Sequence, residues 1–178
     1  MDLQGLLNIL SLCFLLLNPC FGQETQVKCI NPEFEELVDD YLNYSIPFIT
    51  VADAYDVQNE YTFLDARELV EYQTSHIKGA IHIGYDNFDI KTIKDKIEYD
   101  TPIIIYCSIG YRSEIIGKKL TDYGYKNVRN LYGSIFEWVN QHRPVFDSNE
   151  KQTKDIHTYN KKWSKWVENE QITKTWTP

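Results

Sequence analysis

Three observations predict a parallel α/β fold for this chain. Short apolar runs at residues 47–51, 61–66, 79–84, 102–107 and 128–133 recur between segments of helical or loop character. One of them contains Ile103, Ile104, Ile105 and Tyr106 without a polar break, as a strand covered on both faces requires. That run leads through a short loop into a helical repeat, the order of a strand-loop-helix unit.

Composition supports one folded domain with extensions. The chain has 178 residues, 43% of them hydrophobic and 25% charged, which excludes a disordered acidic tail, a collagen-like repeat and a polytopic membrane protein. A net charge of -8 argues against binding a phosphate backbone, so nucleic acid is not an expected partner. Thirteen Tyr and four Trp supply large buried areas per residue. No internal repeat or Gly/Ser-rich linker divides the sequence.

The elements follow in order. Residues 1–22 are expected to be a signal peptide. The apolar run 6–17 is too short to span a bilayer, and Cys20-Phe21-Gly22 places small side chains for a cut before Gln23. Export to a periplasm or the outside follows; in a competing reading Cys20, preceded by Pro19, carries a lipid anchor. Removing residues 1–22 takes away Asp2 as the one charged side chain, so the acidic balance persists. Of the four cysteines, Cys29 and Cys107 then remain, with a disulfide between them left open because it needs a specific Cα geometry.

Residues 23–44 form an N-terminal helical extension, in which Phe34, Leu37, Val38, Tyr41 and Leu42 share one helix face, as a lid over the domain would. The core domain spans 45–145. Within it, Ile116, Leu120 and Tyr123 line one face of a helix over 113–123, which Gly124 ends. Residues 146–178 form a C-terminal extension. Its segment 157–172 carries Tyr159, Trp163 and Trp166 among lysines and reads as a short amphipathic helix. Its aromatics are expected to pack back on the domain, with contact to a membrane or a partner as the alternative.

The chemistry concentrates in Cys107-Ser108-Ile109-Gly110-Tyr111-Arg112-Ser113, between a buried strand and a helix. In open α/β sheets ligands bind beyond the carboxyl ends of the strands. A tight loop turns backbone N–H groups toward the Cys107 sulfur, and the helix behind it adds partial positive charge. A free thiol with a pKa of about 8.5 is only ~3% ionised at pH 7, so such stabilisation decides whether the sulfur is a nucleophile. Gly110 permits a positive φ at the bend, Arg112 offers a fork of donors to an anionic substrate, and Ser113 is placed to cap the helix. Read alone, a Cys at a strand end is equally a small buried hydrophobe. Asp65 is expected to tie down the turn after its strand, with Arg67 and Glu71, four apart, as a local ion pair. His76, His82, His142 and His157 are isolated and suggest neither a triad nor a metal site.

Several of these pieces together resemble the rhodanese (sulfurtransferase) homology domain over about residues 45–142. They are Asp65-Ala66-Arg67-Glu68 with Glu71-Tyr72, His76-Ile77 with Gly79-Ala80, the loop 107–113, and Gly124-Tyr125 before Val128. The resemblance implies a three-layer α/β/α sandwich around a five-stranded parallel sheet. It also implies that Cys107 carries a sulfane sulfur as a persulfide, that the loop amides and Arg112 stabilise it, and that no metal or organic cofactor takes part. Departures from the family pattern are Ser75 before His76, Lys78, and Ser134 after Gly133. Ser108, Ile109 and Tyr111 are uncharged where thiosulfate-using members often carry basic residues, which puts thiosulfate in doubt as donor.

The expected partner is therefore a small sulfur-containing anion or a thiol or persulfide, with a protein sulfur donor or acceptor as a further option. A second reading is a non-enzymatic binding module using the loop face and the Trp163/Trp166 tail. A third, a phosphatase of the rhodanese-related type, needs five residues between Cys and Arg, whereas Ser108 to Tyr111 make four.

Overall fold

A computed structural model describes residues 27–176. The expected signal peptide, with Cys13 and Cys20, lies outside them.

Five strands form one sheet in the order β1-β5-β4-β2-β3, every pairing parallel. They are β1 (Phe48–Ile49), β2 (Thr62–Asp65), β3 (Ile81–His82), β4 (Ile103–Tyr106) and β5 (Val128–Leu131). Each falls inside one of the apolar runs. The central position of β4 follows from its side chains, all buried, which point alternately to the two faces of the sheet. Ile103 and Ile105 join one core with Leu64, Ile116 and Leu120. Ile104 and Tyr106 join the other with Phe34, Val38, Ile135, Phe136 and Trp138. Helices cover both cores, which makes the three layers.

Among the described residues the helices are α1 (Pro32–Tyr41), α2 (Val51–Asp56), α3 (Leu69–Thr74), α4 (Tyr111–Tyr123) and α5 (Ser134–Asn140), and all but α3 contribute side chains to the cores. Asn31 caps α1 by accepting from the amides of Glu33 and Phe34, and Pro32 follows at the first helical position. Phe34 and Val38 then bury the apolar face read from the sequence. Gly124, at φ 119°, ends α4. Gly117 lets α4 approach β4 closely, because a Cβ there would stand 2.4 Å from Ile46 Cδ1 and 3.2 Å from Ile105 Cγ2.

Two sequence expectations need correction. Residues 157–172 are not a helix. The segment contributes the end of β8 (Asp155–His157) and a single 3₁₀ turn at Trp163–Trp166, and β9 (Thr173–Thr175) then pairs parallel with β8. The buried Ile156 anchors it, and aromatic contacts replace helical periodicity: Trp166 lies 5.6 Å from Phe34 and Trp163 5.5 Å from Tyr41, centroid to centroid. A short antiparallel pair, β6 (Val145–Phe146) with β7 (Gln152–Thr153), leads into the segment.

The helix after the loop begins at Tyr111, not Ser113. Gly110, at φ 120°, occupies the capping position that the sequence reading gave to Ser113. Only glycine takes that φ without strain, and it starts the helix earlier.

Candidate active site

Cys107 follows the last residue of β4, and the loop turns back over its sulfur. The amide of Gly110 donates to Sγ at 3.2 Å. Burial opposes ionisation of the thiol most strongly of any single influence. Arg112, the amide and hydroxyl of Ser113 and the Gly110 amide together outweigh it and hold the thiol below its ordinary pKa. The other thiol behaves oppositely: burial, then the carboxylates of Glu137 and Glu35, push Cys29 far up. Both cysteines are free and buried, with no bridge between them.

The loop is held from behind by α5. Ile135 and Phe136 donate their amides to the carbonyls of Cys107 and Ser108, both at 3.2 Å. The Ser134 hydroxyl accepts from the Cys107 amide at 3.1 Å and donates to the Leu131 carbonyl at 3.0 Å. Ser134 adopts φ 52°, directly after Gly133 at φ 66°. Its hydroxyl ties this unusual turn to the Cys107 backbone, a role the sequence signalled only as a departure from family pattern.

Ser113 serves the loop from inside the helix. Its hydroxyl lies 2.7 Å from Asn130 Oδ1 and 3.0 Å from the Gly110 carbonyl, which also accepts from Asn130 Nδ2 at 3.0 Å. Asn130 was missed by sequence reasoning, although a buried polar residue within a strand is the signal that marks it.

Arg67 and Glu71 do not pair, contrary to the sequence expectation. Arg67 precedes the first turn of α3, so the two share no helix face. Arg67 instead binds Asp65 through Nη2 at 2.6 Å, with both side chains fully buried, and donates to the Ser75 carbonyl. Asp65 also accepts from the Arg67 amide at 2.9 Å, tying down the turn as expected. Glu71 is matched instead by Arg112, through Nη1 at 2.7 Å and Nη2 at 2.9 Å. Arg112 Nη2 also reaches the Ser108 hydroxyl at 2.9 Å, which itself donates to Glu71. Most of the fork that was expected to face a substrate is therefore engaged within the protein. Burial raises the Glu71 pKa, but the Arg112 contacts win and hold it below the usual carboxylate range.

The His76 ring stacks on Tyr72 at 4.1 Å, with its nitrogens facing the Tyr72 carbonyl and Glu150. Among the described residues no group of three or more His, Cys, Asp or Glu side chains is arranged to hold a metal ion.

Cys107 opens into a cavity of about 250 Å³. Ser108, Ile109, Tyr111 and Arg112 line it from the loop, Glu68, Tyr85 and Asp86 from the chain after β2 and β3, and Tyr41, Tyr159 and Trp163 from the two extensions. Gly110 and Ser113, by contrast, act from beneath the loop.

The sequence that places a buried cysteine directly after a central parallel strand, wrapped by its own loop at a helix start, is matched by a family model. The model for the Rhodanese-like domain covers residues 50–141, more than half of the chain. The chain belongs to the rhodanese-like family. Its relatives include the thiosulfate sulfurtransferase GlpE of Haemophilus influenzae, 30% identical over 56% of this chain and 96% of that protein. The adenylyltransferase and sulfurtransferase UBA4 of Meyerozyma guilliermondii is 32% identical over 55% of this chain but only 26% of that longer protein. A rhodanese-related protein from Thermoplasma volcanium has a similar structure, with TM-score 0.51, 28% identity, and coverage of 56% of this chain and 97% of its own. This chain thus carries a rhodanese-like domain with sulfurtransferase homologues. Tyr41, Tyr159 and Trp163 lie outside the matched residues.

The rhodanese-like loop gives a prediction for thiol chemistry. Only the thiolate is alkylated, so the rate constant rises as pH increases through the pKa and then levels off. Iodoacetamide should modify Cys107 with a midpoint below that of an ordinary thiol while sparing Cys29. Arg112→Met should move the Cys107 midpoint to higher pH, since the positive charge that favours the thiolate is lost. An unmoved midpoint would contradict the role assigned to Arg112.

Proposed function

We propose that this protein is a sulfurtransferase in which Cys107 carries the sulfur in transit. The observation that supports this best is the lowered pKa of a thiol that is buried yet opens on a cavity, with the Gly110 amide at 3.2 Å. A cysteine kept only for packing would have its pKa raised by burial, as Cys29 has.

The chemistry has two displacements. The Cys107 thiolate attacks the sulfane sulfur of a donor and forms a new S–S bond. The donor's own bond to that sulfur breaks, and the donor leaves with the electron pair, as sulfite from thiosulfate or as a thiolate from a persulfide. An acceptor thiolate then attacks the outer sulfur of the Cys107 persulfide, and Cys107 Sγ departs with the pair as the thiolate. In both steps the same atom gains or loses charge, so one set of donors serves both. The Gly110 and Ser113 groups and the Arg112 charge favour the anion before and after transfer.

We also place the working protein outside the cytosol. The apolar run 6–17 followed by the polar stretch from Gln23 supports export.

Steady-state transfer to dithiothreitol, read as sulfide released from a persulfide or thiosulfate donor, tests the proposal. Catalytic release proportional to protein concentration is expected. No release above the uncatalysed rate from either donor, with Cys107 reduced, would sink it.

A further inference from the structure

The cavity walls carry information about the substrate that the catalytic loop does not. Five aromatic rings line it, Tyr41, Tyr85, Tyr111, Tyr159 and Trp163. Three of them form a continuous wall, Tyr41 standing edge-on to Tyr111 at 6.0 Å and to Trp163 at 5.5 Å between centroids. Two carboxylates complete the lining, Glu68 and Asp86, brought together by the Asp86 amide donating to Glu68 Oε1 at 3.2 Å. Among the described lining residues Arg112 is the one cation, and its charge is already matched by Glu71. Among the described residues no lysine lines the cavity, and Lys165 lies over the Trp166 ring.

Charge therefore discriminates among donors. With the Cys107 thiolate formed, Arg112 is shared between Glu71 and the thiolate, and the cavity adds two negative charges, Glu68 and Asp86, that no described lining cation offsets. An incoming dianion such as thiosulfate is repelled by both carboxylates and offers nothing to the aromatic wall. A cationic organic body gains twice, from the carboxylates and from ring faces, which attract cations by their quadrupole.

Building on the sulfurtransferase reading, we infer that the donor is an organic persulfide whose body carries a positive charge, held between the aromatic wall and the Glu68/Asp86 pair. Selectivity then resides partly in the extensions, since Tyr41, Tyr159 and Trp163 lie outside the family match. In the loading step the thiolate takes the outer sulfur of the neutral persulfide, and the released thiolate stays beside its own ammonium group.

The test compares first-order loading of Cys107, followed by intact mass, with aminoethyl persulfide, carboxyethyl persulfide and thiosulfate at equal concentration. The cationic probe should load about tenfold faster than the anionic probe of similar size, with the difference shrinking at high salt. Asp86→Asn, at an exposed loop position, should reduce the preference severalfold. Trp163→Leu should slow the cationic probe most. Thiosulfate or carboxyethyl persulfide loading as fast as aminoethyl persulfide would overturn this inference while leaving sulfur transfer intact. Failure of all three probes to load a reduced Cys107 would instead overturn the sulfurtransferase reading.

Discussion

Cys107→Ser is expected to lower sulfur transfer by about 10³-fold or more, to the uncatalysed rate, while leaving the fold unchanged. A serine hydroxyl replaces the thiol atom for atom, so the Gly110 amide keeps an acceptor and the loop keeps its support from α5. What is lost is the capacity to form and break an S–S bond, for which oxygen has no equivalent. Cys29→Ser serves as the comparison. Cys29 is buried against Glu137 with its pKa raised, and that variant should retain transfer if it folds. Transfer that survives Cys107→Ser would show that the sulfur travels elsewhere.

The second large effect concerns stability. Asp65→Asn should destabilise the protein by about 3–5 kcal/mol, because it strands the Arg67 guanidinium in a site where neither partner is solvent-exposed. For a protein of this size that corresponds to a fall in Tm of roughly 10 °C. The pair as such need not be worth that much, since ion pairs buried this deeply recover little beyond their desolvation cost. Asp65→Asn combined with Arg67→Met should accordingly cost less than the sum of the two single changes. Additive losses in the cycle would mean that Asp65 and Arg67 stabilise the turn independently and that their contact is incidental.

Much of this architecture was legible in the sequence. Strand positions were visible because a parallel sheet buried on both faces demands uninterrupted apolar runs, as at Ile103–Tyr106. Gly124 marked a helix end because a φ of 119° leaves little choice of residue. Pairings were harder to read. Arg67 and Glu71 have helical spacing, but α3 begins only at Leu69, and the true partner of Glu71 lies 41 residues away. Sequence spacing has no access to such contacts.

The C-terminal segment misled for a related reason. Tyr159, Trp163 and Trp166 fall at helix-like intervals, yet the flanking residues pair as β8 and β9, with the chain from 158 to 172 between them. Its conformation is set by what Trp163 and Trp166 touch, Tyr41 and Phe34 on α1, and these contacts exist only once both extensions are folded onto the domain. The rim of the cavity was hidden for the same reason. Ser134, Asn130 and Glu71, which support the loop, come from three separate elements that only the sheet order brings together.

The most direct test of the central claim is the mass of the protein after treatment with a persulfide or thiosulfate and removal of excess donor. The account predicts a gain of one sulfur atom, mapped by peptide analysis to Cys107, removed by dithiothreitol and absent in Cys107→Ser. A Cys107 that is demonstrably reduced and yet gains no sulfur from either donor would contradict it.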